Sequence, residues 1–303
     1  LKKLDSSATG FASQGFCTMP KSIFIAGCGF IGLPLARSFA SAGWQTCAIT
    51  GSELSAANLR NETFRVYSMD LTDRASFRRL PLLSFDIVVH CASSRRGGAT
   101  AYKAVYLHGT QNLLDHFQPG NFVLAGSTSV YVQTDGSWVN EQSPAVPSRE
   151  TAKILRKTED LVLASGGLVT RLAGLYGPGR CVPLQKLLSG EAVIEGDGER
   201  VMNMINQFDA VNALRFLVEN DARGIFNVVD NEPVRQRDWF LWVCKQTGKP
   251  LPPYGPRDLA RKRGWTSKRV SNQKLQSLGW NPRFPTFREG IGAMLARIPK
   301  ASP

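Results

Sequence analysis

Three glycines at the spacing Gly27-x-Gly29-x-x-Gly32 are the residues best suited to ligand chemistry near the start of the chain. An apolar run over residues 23–26 precedes them. A helical pattern follows, with Leu33, Leu35, Ala36, Phe39 and Ala40 on its inner face. Each glycine has its own physical reason. Gly27 allows a tight turn out of the strand, Gly29 lets the backbone touch a pyrophosphate, and Gly32 lets the helix pack closely on the strand. The helix start adds free N–H groups and partial positive charge. With Phe30 and Ile31 between them, these residues predict a cradle for a dinucleotide phosphate. A glycine-rich turn that only packs a helix on a sheet is the plainer alternative.

Other candidate groups fall just after apolar runs. Strand 46–49 ends in Thr50-Gly51-Ser52, where an NAD site carries an acid for the ribose hydroxyls. The missing acid removes a repulsion against a 2′-phosphate, so NAD(P) is expected, with NADP slightly preferred. Glu53 would rescue NAD binding if its loop folded back. Strand 64–68 leads to Asp70-Leu71, which places Asp70 to reach an adenine edge or to form a turn; Thr72-Asp73 suit the helix cap better. Cys91-Ala92 follow strand 86–90 at the end where open α/β sheets bind ligands, beside a basic loop with Arg95 and Arg96. Strand 122–125 runs into Ser127-Thr128-Ser129-Val130-Tyr131. Those hydroxyls face a nicotinamide or simply cap a turn.

The elements that must position these residues alternate strand and helix. Helices are expected over residues 74–80, 100–117 and 149–165, and a sixth strand over 168–172. This pattern predicts an α/β fold: a Rossmann-type doubly wound parallel sheet with a smaller C-terminal substrate domain. Residues 20–176 form the nucleotide domain, its sheet completed by about 207–230; residues 177–206 and 231–299 form the small domain. In that half a short helix is expected over 183–188, one strand over 201–205, helices over 209–218 and 237–246, and a last helix over 286–298. Residues 1–19 lack an apolar signal core and read as a disordered tail, with the folded chain beginning near Met19.

Composition narrows the function classes. The apolar fraction of 43% is that of a globular chain, and no apolar run is long enough to span a bilayer. Six scattered cysteines without a C-x-x-C pair fit a reducing, cytoplasmic setting. Three histidines leave little for a metal site, so none is expected. The net charge of +13 comes with no nucleic-acid-binding signature, and a basic surface around a nucleotide fold explains it. The expected partner is a small-molecule substrate, not nucleic acid or membrane, and a homodimer stays open. The basic run Arg257, Arg261, Lys262, Arg263, Lys268 and Arg269 reads as a solvated loop.

The chain resembles the extended, partly atypical short-chain dehydrogenase/reductase superfamily, the NAD-dependent epimerase/dehydratase proteins. The carrying residues are the run 26–32, Asp70-Leu71, residues 86–92, 109–114, 127–131 and above all 171–180, with 203–209 and 226–230 extending the match. The resemblance implies an NAD(P)-dependent oxidoreductase, epimerase or dehydratase acting on a hydroxyl-bearing, nucleotide-sugar-like substrate. It implies that Ser127, with Thr128 beside it, bonds the substrate oxygen. Tyr176, Gly177 and Pro178 would then flank nicotinamide and substrate. It also offers the basic run from Arg257 to Arg269 a role other than a solvated loop, as a grip for a nucleotide-sugar diphosphate. The family's Tyr-x-x-x-Lys is missing: one register over helix 149–165 puts Thr151 and Leu155 in those places, the other Arg149 and Lys153. Tyr131 and Tyr106 are the candidates if there is a substitute acid/base, with Lys153 or Lys157 as the charge; packing or surface is the favoured reading of each. A dinucleotide-binding sensor without turnover is the rival reading.

Overall fold

The computed structural model describes residues 21–80, 84–94, 97–259 and 265–297. The expected tail, Arg95, Arg96, and Arg261 to Arg263 lie outside the described residues.

β1 (Ser22–Ala26) is buried along its whole length. β2 (Gln45–Thr50) and β4 (Ile87–His90) flank it in parallel, with Ile23 opposite Thr46 on one side and Ile87 on the other. Ser22 fixes the second pairing: its N–H and hydroxyl both donate to Asp86 Oδ2 at 2.8 Å. Adding β3 (Arg65–Ser68), β5 (Asn121–Ser127), β6 (Leu168–Leu172) and β7 (Gly224–Val228) gives seven strands in the order β3-β2-β1-β4-β5-β6-β7, all parallel. A parallel sheet needs cover on both faces. Side chains therefore alternate between two cores. Ile23 and Ile25 meet Leu35 and Phe39 of α1 (Gly32–Ser41), while Phe24 and Ala26 meet Phe117.

Between β2 and β3 runs α2 (Glu53–Asn58). The stretch after Asp73 is a 3-10 turn, Arg74–Arg79, and Asp73 caps it by accepting from Ala75 N–H. α3 (99–117) covers the second face and is not uniform. It opens as α over Ala99–Tyr102, widens to a π-helix over Lys103–His108, and closes as α over Gly109–Phe117. α4 (Glu150–Ala164) packs beside it, with Glu159 paired to Arg171 of β6 by bonds of 3.0 and 2.7 Å.

The second half is built of short pieces. α5 (Val182–Leu188), α6 (Gln207–Glu219), α7 (Gln236–Thr247), α8 (Gln273–Ser277) and α9 (Phe287–Leu295) alternate with two- and three-residue strands. α6 returns to lie beside α1 on the first face of the sheet. The single strand expected over 201–205 is two. Val201–Met202 pairs with Val234–Arg235, and Met204–Asn206 pairs with Gly174–Tyr176. Asn203 divides them because its amide bonds sideways, donating to Lys268 O and accepting from Val270 N–H. A third apolar core gathers only residues 176–291, among them Tyr176, Trp239, Phe240 and Phe287. The aromatics of α7 are thus core. No helix of the described residues is long and apolar enough to cross a membrane.

Candidate active site

The carboxyl ends of β1, β2, β4, β5 and β6 surround a cleft of about 730 Å³. Its first wall is the glycine turn. Gly27 has φ +109°, and a β-carbon there would lie 2.6 Å from the backbone of Ala92. Gly32 is equally constrained, because Gly27 O fills the place of its missing side chain. Gly29 differs: a β-carbon on it would meet no protein atom within 4 Å. It faces the cleft. Packing explains the first two glycines, whereas a side chain at Gly29 would enter open cleft. The start of α1 lies beside it, where backbone N–H groups and the helix dipole favour an anion. Phe30 is held in place by Gln207 of α6, whose amide donates to Phe30 O at 2.6 Å. The Arg180 guanidinium covers the Phe30 ring, 4.9 Å from its centroid.

Along the cleft, Thr50, Gly51, Ser52 and Ser55 stand at the end of β2. Ser52 caps α2, accepting from Ser55 N–H at 3.3 Å. Glu53 is exposed and does not line the cleft. Asp70 does; its Oδ1 accepts from the N–H and hydroxyl of Thr72, both at 2.8 Å, so it also holds its own turn. Leu71, Cys91 and Ala92 continue the wall. Burial pushes the Cys28 and Cys91 thiols up to about 12. Both stay protonated near neutral pH and are poor nucleophiles. Among the described residues that line the cleft, Asp70 and Arg180 alone carry formal charge.

The far end is formed by Ala125, Gly126 and Ser127 of β5, by Leu172, Ala173 and Leu175, and by Tyr102 and Tyr106 of α3. Ser127 Oγ accepts from Ser129 N–H at 3.2 Å, a bond that leaves the hydroxyl proton uncommitted. The two tyrosine rings lie 5.0 Å apart. Tyr102 closes the first α turn of α3 and Tyr106 lies in its π-helical stretch, both on the side that lines the cleft.

The structure separates the residues singled out in the sequence. Gly27, Gly29, Phe30, Ile31, Thr50, Ser52, Asp70, Leu71, Cys91, Ala92, Ser127 and Tyr106 meet in one cleft, and Gly32 lies directly behind it. Thr128 and Tyr131 do not line it. Tyr131 is fully buried, its hydroxyl 2.8 Å from Asn140 O and 2.9 Å from Asn227 Oδ1. The Arg171 guanidinium covers its ring. Burial raises its pKa, and Tyr131 sits in the core rather than in the cleft lining.

None of the expected loop Tyr176-Gly177-Pro178 lines the cleft, although Gly177 packs against Phe30 and Gln207 at its edge. Pairing of Gly174–Tyr176 with Met204–Asn206 draws Tyr176 into the third core, against Gly290, where it is 1% exposed. Pro178 faces a second cavity. Neither register of the missing Tyr–Lys pair reaches the cleft: Leu155 is buried, and Lys153 and Lys157 are exposed. Sequence reasoning missed Tyr102, Gln207 and Arg180. The four-residue spacing of Tyr102 and Tyr106 was the one available signal for the first.

A model of the NAD dependent epimerase/dehydratase family matches residues 23–228. The chain is 31% identical over 229 residues to Protein YeeZ of Escherichia coli (strain K12), covering 69% of this chain and 77% of that one. It is 32% identical over 158 residues to the 3-diazoavenalumate denitrifying reductase of a Streptomyces species, covering 47% of this chain and 52% of the reductase. That second match spans about half the length of the reductase. Among solved structures, a UDP-glucose 4-epimerase from Thermus thermophilus in complex with NAD shares the fold. It has a TM-score of 0.75 at 21% identity, over 93% of this chain and 100% of that one. The parallel sheet, the glycine turn at its centre and the matched span agree: this chain belongs to the NAD-dependent epimerase/dehydratase family.

Proposed function

We propose that the cleft binds a pyridine dinucleotide and that the protein is an oxidoreductase of hydroxyl- or carbonyl-bearing small molecules, nucleotide sugars being the first class to test. The observation that carries the dinucleotide is Gly29, whose bare backbone faces open cleft while its two partner glycines are explained by packing. The bound coenzyme would supply hydride transfer. Gly27 to Gly32 would seat its diphosphate, and Asp70 with Leu71 the adenosine end. Thr50, Ser52 and Ser55 put hydroxyls rather than an acid beside the ribose, which supports NADP slightly over NAD. Ser127 would donate a hydrogen bond to the substrate oxygen, with Tyr106 as the nearby proton source in place of the usual pair. The third core, over residues 176–291, would close the substrate end as a smaller domain.

A dinucleotide sensor without turnover is the second reading, favoured because α4 contributes no residue to the cleft lining. Fluorescence titration with NADPH and NADH tests binding. Coenzyme oxidation with a panel of nucleotide sugars and small carbonyl compounds then separates the readings. The enzyme reading expects turnover that Ser127→Ala lowers without changing coenzyme affinity. Coenzyme binding without turnover on any acceptor supports the sensor. No response to either coenzyme removes both.

A further inference from the structure

A cavity of about 1090 Å³ lies apart from the dinucleotide cleft. It is lined by the loop 178–180 and by residues of α1, α5, α6 and α9. Its floor is apolar: Leu184 and Leu188 from α5, Phe208 and Phe216 from α6, and Met294 from α9 all reach it. Phe208 is 48% exposed and Leu188 39%, so this apolar surface is open to solvent. The rim is cationic. Arg180, Arg215, Arg283 and Arg297 line it against one acid, Glu219, which Arg215 already neutralises at 2.8 Å. Arg180 lies over Phe30, and Arg283 lies over Phe208 and Phe284 at 5.2 and 5.6 Å while its charge also acts on the buried Asp209 carboxylate outside the lining.

We propose that this cavity is a second binding site, for an amphipathic organic anion. Its apolar body would lie on Leu184, Leu188, Phe208 and Met294, and its carboxylate or phosphate would meet Arg283 and Arg297. Size and composition suit a small molecule: a concave apolar site of this volume with a few fixed charges at one end is the usual form of a ligand pocket. Charge complementarity selects the anion, because four arginines face a single acid, Glu219, among the lining residues. The site borders the cleft through Arg180, which lines both cavities. An anion whose head group also reached Arg180 would draw it off Phe30 and alter the wall of the cleft, so the two sites are linked. The binding claim stands without the dinucleotide reading; the linkage rests on it.

Calorimetry with decanoate, below its micelle concentration, is the test, with decanol as a neutral probe of equal length. Saturable 1:1 binding of decanoate is expected, with decanol at least tenfold weaker. The double variant Arg283→Gln, Arg297→Gln should weaken decanoate at least tenfold while leaving NADPH titration unchanged. Gly29→Val should leave decanoate binding intact. Saturating decanoate should shift the NADPH affinity severalfold, and Arg180→Gln should remove that shift. Equal affinity for decanol, loss of decanoate binding in Gly29→Val, or no saturable binding overturns the site. An absent shift with intact decanoate binding overturns the linkage alone.

Discussion

Glu159 and Arg171 grip each other through two parallel hydrogen bonds, Nε to Oε1 at 3.0 Å and Nη2 to Oε2 at 2.7 Å, with neither side chain more than 2% exposed. Arg156 adds a third contact to the same carboxylate at 3.2 Å. The pair joins α4 to β6 directly beneath Tyr131. Removing one partner strands the other charge in the core. Glu159→Ala should therefore cost about 3–5 kcal/mol of stability, read by urea denaturation. A cost under about 1 kcal/mol would show that Arg171 finds water or another acid on its own.

The motif glycines should divide into two classes on mutation. Gly32→Ala places a β-carbon on Gly27 O and should destabilise the fold by about 1–3 kcal/mol. Gly29→Val should leave the melting temperature nearly unchanged and weaken NADPH binding at least about tenfold. A Gly29→Val protein that binds NADPH normally would falsify the seat assigned to the diphosphate.

Ser127→Ala and Tyr131→Phe should likewise part company. Loss of a hydrogen bond to the reacting oxygen lowers kcat by about a hundredfold. Tyr131→Phe loses only an internal bond and should cost about 1–2 kcal/mol of stability with turnover intact. Steady-state kinetics paired with thermal melts distinguishes them; a Tyr131→Phe enzyme that is stable but inactive would return that tyrosine to the chemistry.

Acid should destabilise the protein through His90. It is 1% exposed at the end of β4, its Nδ1 2.9 Å from Thr110 Oγ1, and burial lowers its pKa to about 4. The folded state thus resists a proton that the unfolded chain takes up near 6.5. This contribution is complete above about pH 6.5 and is lost as pH falls toward 4, on the order of 3 kcal/mol. Burial raises the Asp209 and Asp230 carboxyls, which has the opposite sign and partly offsets the loss. His90→Gln should flatten the stability curve between about pH 4 and 6.5; an unchanged slope there would mean His90 is not its source.

The central sheet was legible because its strands are continuous apolar runs such as Ile87–His90, which only burial on both faces explains. The glycine turn was legible because its spacing states a backbone requirement directly. What escaped reading depends on distant partners. Asn203 divides a strand through bonds to residues 65 and 67 positions away. Tyr131 looked available until Asn227, 96 residues on, claimed its hydroxyl. Tyr176 was drawn off the cleft by a pairing with Met204–Asn206 that local pattern does not encode. Arg180 reaches two cavities only because the loop before it turns between them.

The bond from Gln207 to Phe30 O spans 177 positions of sequence. It makes the opening fingerprint non-portable. A chimaera that grafted residues 21–176 onto a foreign partner would inherit every glycine yet lose the brace that sets the turn's carbonyl.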